Sequence, residues 1–265
     1  MIAIAMRTQV LRVCILFASI GAGHISLGQQ IKINDSLALQ SKPIAVKTKG
    51  GFSTILKFGF GDFSIRSGKK GWEKTTHEGK LFSANEVSES KRKFSFVFTG
   101  KDKDSAIVNA ASNTIIDIYD PGRVPFATIG NADFVTIVGS KSNFIATILT
   151  NHDSIVWTLV MVQKGGPSID PADAFAFEGG LTDGERKIDL KPVHEWSNGK
   201  KPMMSFGLPG YELWENGVAI AAVQAPMNTM LNKFVWIRDD VDPATRFIVA
   251  TALAALIENI FMESQ

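Results

Sequence analysis

The sequence is poor in the residues on which several classes of protein depend. It contains one cysteine, Cys14, and only four histidines and two tyrosines among 265 residues. A single cysteine excludes an intramolecular disulfide and a site built from several thiolates, so stability must come from a packed core. The motifs HExxH, GxSxG and GxxxxGK[ST] are also absent. These absences favour a non-enzymatic protein, and we predict no catalytic residue, no metal site and no cofactor.

The first 28 residues have the composition of a signal peptide. Arg7 and Arg12 form a basic region, residues 13–22 are apolar, and residues 26–28 supply the small side chains that signal peptidase reads. An apolar run of about 10 residues is too short to cross a bilayer comfortably. Without residues 1–28 the chain has no cysteine and equal numbers of basic and acidic residues. We therefore predict an exported protein of a bacterial periplasm or cell envelope, or a secreted one.

After a polar segment at residues 29–50, short runs of β-branched and aromatic residues alternate with turn signals. This spacing predicts an all-β sandwich or barrel that forms one domain over residues 51–265. Asn216-Gly217 in YELWENGVAIAAV predicts a two-residue hairpin with a type I′ turn. Residues 164–210 are the least strand-like part of the chain. The predicted strands are residues 53–60, 63–66, 94–99, 114–119, 124–129, 134–138, 144–149, 155–162, 211–214, 218–223 and 234–237.

The C-terminal stretch DDVDPATRFIVATALAALIENIFM could be a membrane anchor or a core helix. Asp242 can cap a helix and Pro243 is tolerated at its first position, so we predict a helix over residues 242–262. Thr251 is the only polar residue between positions 247 and 257, which requires burial on every side. The uninterrupted apolar run of about 11 residues is shorter than a membrane span. We predict a closed antiparallel barrel of about 12 strands around this helix, with no transmembrane span in the mature chain.

The order of elements near the C-terminus is similar to that of a known superfamily. The YELWENGVAIAAV hairpin, the FVWI strand, the DDVDPATR bend and the apolar helix resemble the end of a domain of the tubby C-terminal superfamily. This superfamily includes the phospholipid scramblases and the plant LURP-one-related proteins, and the resemblance covers mainly residues 211–264. It implies a barrel closed around its terminal helix. It also implies two possible ligands, calcium and an anionic lipid headgroup.

Scramblase-like proteins carry a proposed acidic calcium-binding stretch just before the terminal helix. Calcium prefers six to eight oxygen ligands with several carboxylates. In this chain the comparable stretch, residues 229–240, offers oxygen ligands only from Thr229, Asn232, Asp239 and Asp240. Lys233 and Arg238 also oppose a bound cation. We interpret the aspartates as helix-start residues that interact with the helix dipole.

Tubby-type domains can bind phosphoinositide headgroups through lysines and arginines, and two basic runs of this chain are candidates. An indole beside a pair of ammonium groups suits the headgroup region of a membrane. A solvated hairpin tip is the competing interpretation, and the neutral mature charge disfavours nucleic acid. We predict that an anionic lipid or membrane surface is bound by Lys69, Lys70, Trp72, Lys91, Arg92 and Lys93.

Two other functions are compatible with the sequence. Folding could bring carboxylates of the acidic stretch 170–189 together with His194 of His194-Glu195-Trp196, which would give an exported hydrolase. Asn151-His152-Asp153-Ser154 is predicted to be a turn, because adjacent residues cannot easily form a hydrogen-bonded relay. A purely structural or protein-binding envelope protein is the third alternative. The favoured prediction is an exported, non-enzymatic β-barrel binding module that associates with anionic lipid or the cell envelope.

Overall fold

Antiparallel strands make up most of this computed structural model, which describes residues 30–48, 57–79, 85–119, 136–152, 154–165, 175–200, 208–226 and 232–263. The helices are α1 (Asp35–Leu39), α2 (Pro243–Glu263) and a 3₁₀-helix at Lys101–Lys103. The strands are β1 (Ile44–Ala45), β2 (Lys47–Thr48), β3 (Phe58–Phe60), β4 (Phe63–Lys70), β5 (Lys74–Gly79), β6 (Asn85–Thr99), β7 (Ser105–Tyr119), β8 (Thr136–Thr150), β9 (Val156–Gly165), β10 (Phe175–Thr182), β11 (Lys187–Val193), β12 (Gly210–Glu215), β13 (Val218–Gln224) and β14 (Phe234–Ile237).

These strands form one sheet in the order β1-β14-β13-β12-β11-β10-β9-β8-β7-β6-β4-β3-β2, with β5 paired to β6. The first and last strands of this order, β1 and β2, are separated only by Val46. β1 pairs with β14 and β2 with β3, and the Val46 N–H donates to the Lys233 carbonyl at 3.0 Å. Residues 44–48 therefore contact both edges, and the sheet is nearly closed into a barrel. The predicted fold class is confirmed.

The long strands alternate residues that face the lumen with residues that face outward. In β6, Phe94, Phe96 and Phe98 are buried, whereas Ser95 and Val97 between them are only partly buried. This period of two is expected where one face of a sheet packs on a core and the other meets solvent. β6 nevertheless begins at Asn85, well before the predicted strand at residues 94–99. The sequence-based prediction missed the first half of β6, because polar residues predominate on both faces of NEVSESKRK.

Residues 164–210, the least strand-like part of the sequence, contribute two strands to the sheet. β10 and β11 lie there and form part of the wall between β9 and β12. Two adjacent glycines in β10 weakened its strand pattern, and a Cβ at Gly179 would lie 3.0 Å from the Val160 carbonyl oxygen. β8 is likewise one strand where two were predicted, at residues 134–138 and 144–149. The predicted strand at residues 124–129 lies outside the described residues.

Two local signals in the sequence are confirmed. Asn216 and Gly217, between β12 and β13, have φ angles of 50° and 80°, and positive values at both central positions are required for a type I′ turn. At the start of α2, the Asp242 carboxylate accepts a hydrogen bond from the Thr245 N–H at 3.0 Å. This bond satisfies one of the free amides of the first turn. Both signals are short-range, so their outcome does not depend on the rest of the fold.

Helix α2 lies in the lumen and forms the centre of the core. Residues 247–260 are all buried. The helix is long and apolar enough to cross a membrane, but 89% of its most apolar stretch is buried inside the protein. Near its N-terminal end, the Phe247 ring lies 6.2 Å from the rings of Phe63 and Phe98. Small side chains that are wholly buried let the strands approach the helix closely, namely Ala250, Ala252, Ala254 and Ala255.

A second apolar cluster lies outside the barrel, on the outer face of β13 and β14. Ile31 and Leu37 are buried there against Phe234 and Trp236. The Ile31 N–H also donates to the Gln224 side-chain oxygen at 2.9 Å. The N-terminal segment that includes α1 is therefore packed against the wall, although the sequence placed it apart from the barrel as a polar segment.

The C-terminal end of α2 meets polar side chains in the lumen. Glu263 Oε1 accepts hydrogen bonds from Asn259 Nδ2 at 3.2 Å and from Ser142 Oγ at 3.5 Å. Burial raises the pKa of Glu263 above its ordinary value, although these hydrogen bonds and the nearby Arg92 guanidinium act in the opposite direction. Burial also raises the pKa of Tyr211, and the charge of Glu263 adds to this effect. The lumen thus disfavours a negative charge at this end.

We expect Glu263→Gln to stabilise the protein at pH 8 and to have little effect at pH 4. A carboxyl group whose pKa is raised by folding favours the folded state below its unfolded pKa. That contribution is lost as the pH rises through the raised folded pKa. Urea unfolding midpoints at the two pH values measure the difference, with Glu78→Gln on β5 as the control. An equal loss of stability for Glu263→Gln at both pH values would contradict the expectation.

Candidate functional site

A β-bulge interrupts the strand that runs along the edge of β6. β4 and β5 both pair with β6, and the residues Gly71-Trp72-Glu73 join them. Lys70 is opposite Phe94 and Lys74 is opposite Lys91, so three residues on this edge face only two on β6. Bulges re-aim side chains and often lie beside functional sites. This bulge is therefore the local feature that positions the basic residues singled out in the sequence.

Gly71 is required for the close approach of the two strands at the bulge. Its N–H donates to the Lys93 carbonyl at 2.7 Å. A Cβ at this position would lie 2.9 Å from the same carbonyl oxygen and 3.0 Å from Lys93 Cβ. Both contacts are closer than a side chain tolerates, and one of them is to backbone. Glycine is thus the residue that permits this geometry.

The bulge presents Trp72 to solvent beside a group of lysines. The Trp72 side chain is 79% exposed. Lys69 pairs with Ser95 on the outward face, and Lys74 pairs with Lys91. The structure therefore brings the two predicted basic runs together around the tryptophan. It adds Lys74, which is not among the site residues predicted from the sequence. We call this the Trp72 surface, and it consists of Lys69, Trp72, Lys74, Lys91 and Lys93.

The other two predicted site residues, Lys70 and Arg92, hold the bulge in place. Arg92 Nε donates to Glu73 Oε1 at 2.7 Å, and Lys70 Nζ lies 3.1 Å from Glu73 Oε2. The Arg92 side chain is 17% exposed and the Lys70 side chain is 23% exposed. The hydrogen bond from Arg92 is the largest of several effects that lower the pKa of Glu73. The single carboxylate of the bulge is therefore already neutralised by two cations.

The remaining lysines give the Trp72 surface a positive field. Lys91 Nζ lies 3.0 Å from Glu89 Oε1, so part of its charge is balanced on the same strand. The Glu89 carboxylate also attracts Lys74, whose charge helps to lower the pKa of Glu89. Among the described residues, no carboxylate forms an ion pair with Lys69 or Lys93. Three exposed ammonium groups around an exposed indole form an amphipathic, cationic surface. Its chemistry fits an anionic partner that also offers an apolar or interfacial layer.

An open groove of about 450 Å³ lies on another part of the barrel, between the N-terminal segment and β11–β12. Its lining includes His194 and Glu195, the residues of the hydrolase hypothesis. Lys32 Nζ lies 2.9 Å from Glu195 Oε2. The two oxygens of Glu212 accept hydrogen bonds from the Asn34 N–H at 2.5 Å and from Trp214 Nε1 at 2.9 Å. These carboxylates attach the N-terminal segment to the wall.

The described carboxylates of the acidic stretch do not join His194 in this groove. They lie on the β10–β11 hairpin, and none of them lines the groove. Asp183 accepts hydrogen bonds from the N–H groups of Glu185 and Arg186, and the latter bond is the main reason why the pKa of Asp183 is lowered. His152, in the predicted turn between β8 and β9, lies 2.7 Å from Asp104 Oδ1. No catalytic relay follows from these contacts.

The proposed calcium-binding stretch forms ion pairs before α2. Arg238 Nε and Nη2 donate to the Asp240 carboxylate at 2.8 and 2.6 Å. Asp239 Oδ1 lies 3.9 Å from Arg246 Nη1. Thr229 lies outside the described residues. Within the described part of the chain, no group of three or more histidine, cysteine, aspartate or glutamate side chains is arranged to hold a metal ion.

Comparisons of the chain with protein-family models, with curated proteins and with solved structures find no match. The fold and the site define the chain as an antiparallel β-barrel with an apolar helix in its lumen and a cationic, tryptophan-bearing bulge on its outer surface. Function must therefore be argued from this geometry.

We expect Gly71→Ala to destabilise the protein and Trp72→Ala to leave its stability nearly unchanged. The new methyl group would push the strands of the bulge apart, at a cost of about 1–3 kcal/mol. Removal of an exposed side chain changes stability by about 0.5 kcal/mol or less. Urea unfolding of both variants measures the difference. The steric argument is wrong if Gly71→Ala unfolds at the same urea concentration as the unmodified protein.

Proposed function

We propose that this protein is an exported, non-enzymatic barrel that binds anionic phospholipid surfaces through the Trp72 surface. The observation that carries the proposal is the bulge, which turns Trp72 outward among lysines while Glu73 is neutralised by Lys70 and Arg92. An indole partitions favourably to the headgroup region, and ammonium groups are attracted to lipid phosphates. The two kinds of side chain therefore favour the same partner.

The exposure of Trp72 distinguishes this surface from an ordinary solvated lysine cluster. Tryptophan is usually well buried in soluble proteins, because its large apolar area is costly to expose. Here the Gly71–Lys93 hydrogen bond and the ion pairs of Glu73 hold the bulge on both sides of Trp72, so the exposed ring extends from a restrained backbone. A solvated hairpin tip would not require this arrangement. An exposed indole on a restrained backbone supports a binding role.

The expected affinity is modest and depends on ionic strength. Each lysine close to an anionic membrane contributes about 1 kcal/mol, and this attraction falls off within a Debye length of about 8 Å at physiological salt. One tryptophan and three or four lysines give weak, reversible binding. The barrel would rest on a membrane and would not insert into it. The resemblance to tubby-type domains points to the same ligand class, and it stays a prediction.

The proposal is tested by flotation with phosphatidylcholine vesicles that either contain or lack phosphatidylglycerol. We expect the protein to float only with the anionic vesicles, and to be released by about 0.5 M salt because screening then acts over a few ångströms. Trp72→Ala should weaken binding by roughly fivefold, since losing the partial burial of the indole costs on the order of 1 kcal/mol. The double variant Lys69→Glu/Lys93→Glu should abolish binding, because both attractive charges become repulsive.

Lys187→Glu/Lys200→Glu is the matched control, since it makes the same change in net charge at two exposed positions away from the Trp72 surface. It should float like the unmodified protein. Binding that is equal with neutral and anionic vesicles would sink the proposal. So would binding that survives the Lys69→Glu/Lys93→Glu change.

A further inference from the structure

The outer face of β7, β8 and β9 carries an uncharged apolar patch. Five aliphatic side chains on this face are between 37% and 50% exposed, namely Ile107, Ile145, Leu149, Val156 and Val160. Exposed aliphatics in one contiguous group indicate an interaction surface, whereas single ones do not. We call this face, from residues 107–111 through 145–149 to 156–160, the β7–β9 wall. Its apolar rows lie apart from Trp72, whereas its β6 margin includes Lys91 and Lys93, which also belong to the Trp72 surface.

The side chains of the wall form cross-strand rows of distinct chemistry. Ile107, Leu149 and Val156 make one apolar row, and Ala111, Ile145 and Val160 make another. The row between them is polar and uncharged, with Asn109, Thr147 and Thr158. Each row is centred on β8, and its two ends have the same polarity. The pattern of polar and apolar rows is therefore unchanged when β7 and β9 are exchanged.

Charges flank this wall with opposite signs on its two sides. The strand pairing connects Lys91 on β6 through Asn113, Asn143 and Val162 to Glu178 on β10 in a single row. Lys91 and Glu178 thus lie two strands from β8, on opposite sides and at the same height. In the neighbouring row, Lys93 lies two strands from β8, whereas Asp189 lies three strands away on β11 and is 2.7 Å from Lys187 Nζ. Lys91 and Glu178 are therefore the pair of opposite charges that lies at matching positions on the two margins.

We propose that the β7–β9 wall binds a second copy of this chain, in a dimer whose two-fold axis runs parallel to β8. Such an axis keeps each row at its own height and exchanges the strands on either side of β8. Apolar rows then meet apolar rows, and the polar row meets itself. Lys91 of one copy lies over Glu178 of the other, twice in the dimer. A contact of this kind is isologous and closes on itself, as most homodimers do.

The curvature of the barrel limits the size of this contact and gives the marginal charges a role. The walls of two barrels are convex, so they approach most closely along β8 and diverge toward β6 and β10. Lysine and glutamate side chains are long enough to cross the wider gap there, whereas the short aliphatics suffice at the centre. The axis also brings Lys141, an exposed residue of β8 just beyond the Asn143 row, toward its own copy, so the contact does not extend past that row. The contact is therefore small, and we expect a weak dimer with a dissociation constant in the micromolar range. The Trp72 bulge is farther out and stays exposed.

Sedimentation velocity of the protein without lipid, from about 1 to 200 μM, tests the dimer. We expect monomers at the lowest concentrations and dimers at the highest. Ile145→Lys should leave only monomers, because it places two like charges near the axis. Val218→Lys, at an exposed aliphatic strand residue outside the wall, is the matched control and should still dimerise. Glu178→Lys should weaken the dimer roughly tenfold or more, and Lys91→Glu/Glu178→Lys should restore it.

The proposal is overturned if the protein stays monomeric over the whole range, or if Ile145→Lys dimerises normally. Flotation of Ile145→Lys, which leaves every lysine of the Trp72 surface unchanged, separates the wall from the proposed lipid site. Lipid binding by a monomeric Ile145→Lys variant would support the dimer and leave the Trp72 surface as the lipid site. If the unmodified protein is monomeric and Ile145→Lys loses vesicle binding, the wall contacts lipid and the dimer proposal is wrong.

Discussion

The structure depends on the mutual burial of helix α2 and the inner face of the barrel. A helix without a polar face cannot be solvated along any side, and a barrel with apolar inner side chains needs a filling of matching shape. α2 provides that filling with small and branched residues, while phenylalanines from β3, β4 and β6 pack around its N-terminal end. Gly100 illustrates the tightness, since a Cβ there would lie 3.1 Å from the Phe247 ring. The helix thus covers the apolar inner face of the barrel, and the barrel covers the apolar surface of the helix.

This constraint explains why the fold class could be predicted from the sequence. The composition of residues 247–257 requires burial, their number is small for a membrane span, and the many short strands supply an enclosure. The turn and cap predictions were accurate for a different reason, because Asn216-Gly217 and Asp242 act only on their immediate neighbours. The predictions failed where side chains carry little alternation. The polar half of β6 and the glycine pair of β10 become strands only because neighbouring strands pair with them.

The candidate site shows the same division between local and long-range information. The sequence identified the basic runs and Trp72, but it could not show that they share one surface. That result depends on the register of β4 and β5 against β6, which is fixed by pairing between residues far apart in the chain. The roles of Lys70 and Arg92 also depend on this register, because it turns them toward Glu73. Export and the resemblance to the tubby superfamily stay predictions from sequence, and the alternatives of a hydrolase or a protein-binding role stay open in the same sense.

Hydrogen exchange of the α2 amides tests the central claim most directly. If α2 is the core of the barrel, the amides of residues 249–257 exchange only when the whole protein unfolds. Their opening free energy then equals the free energy of global unfolding and falls with urea at the same slope. Exchange of α2 by a smaller opening, while the amides of β12 and β13 stay protected, would contradict the account. It would mean that the helix leaves a barrel that remains folded without it.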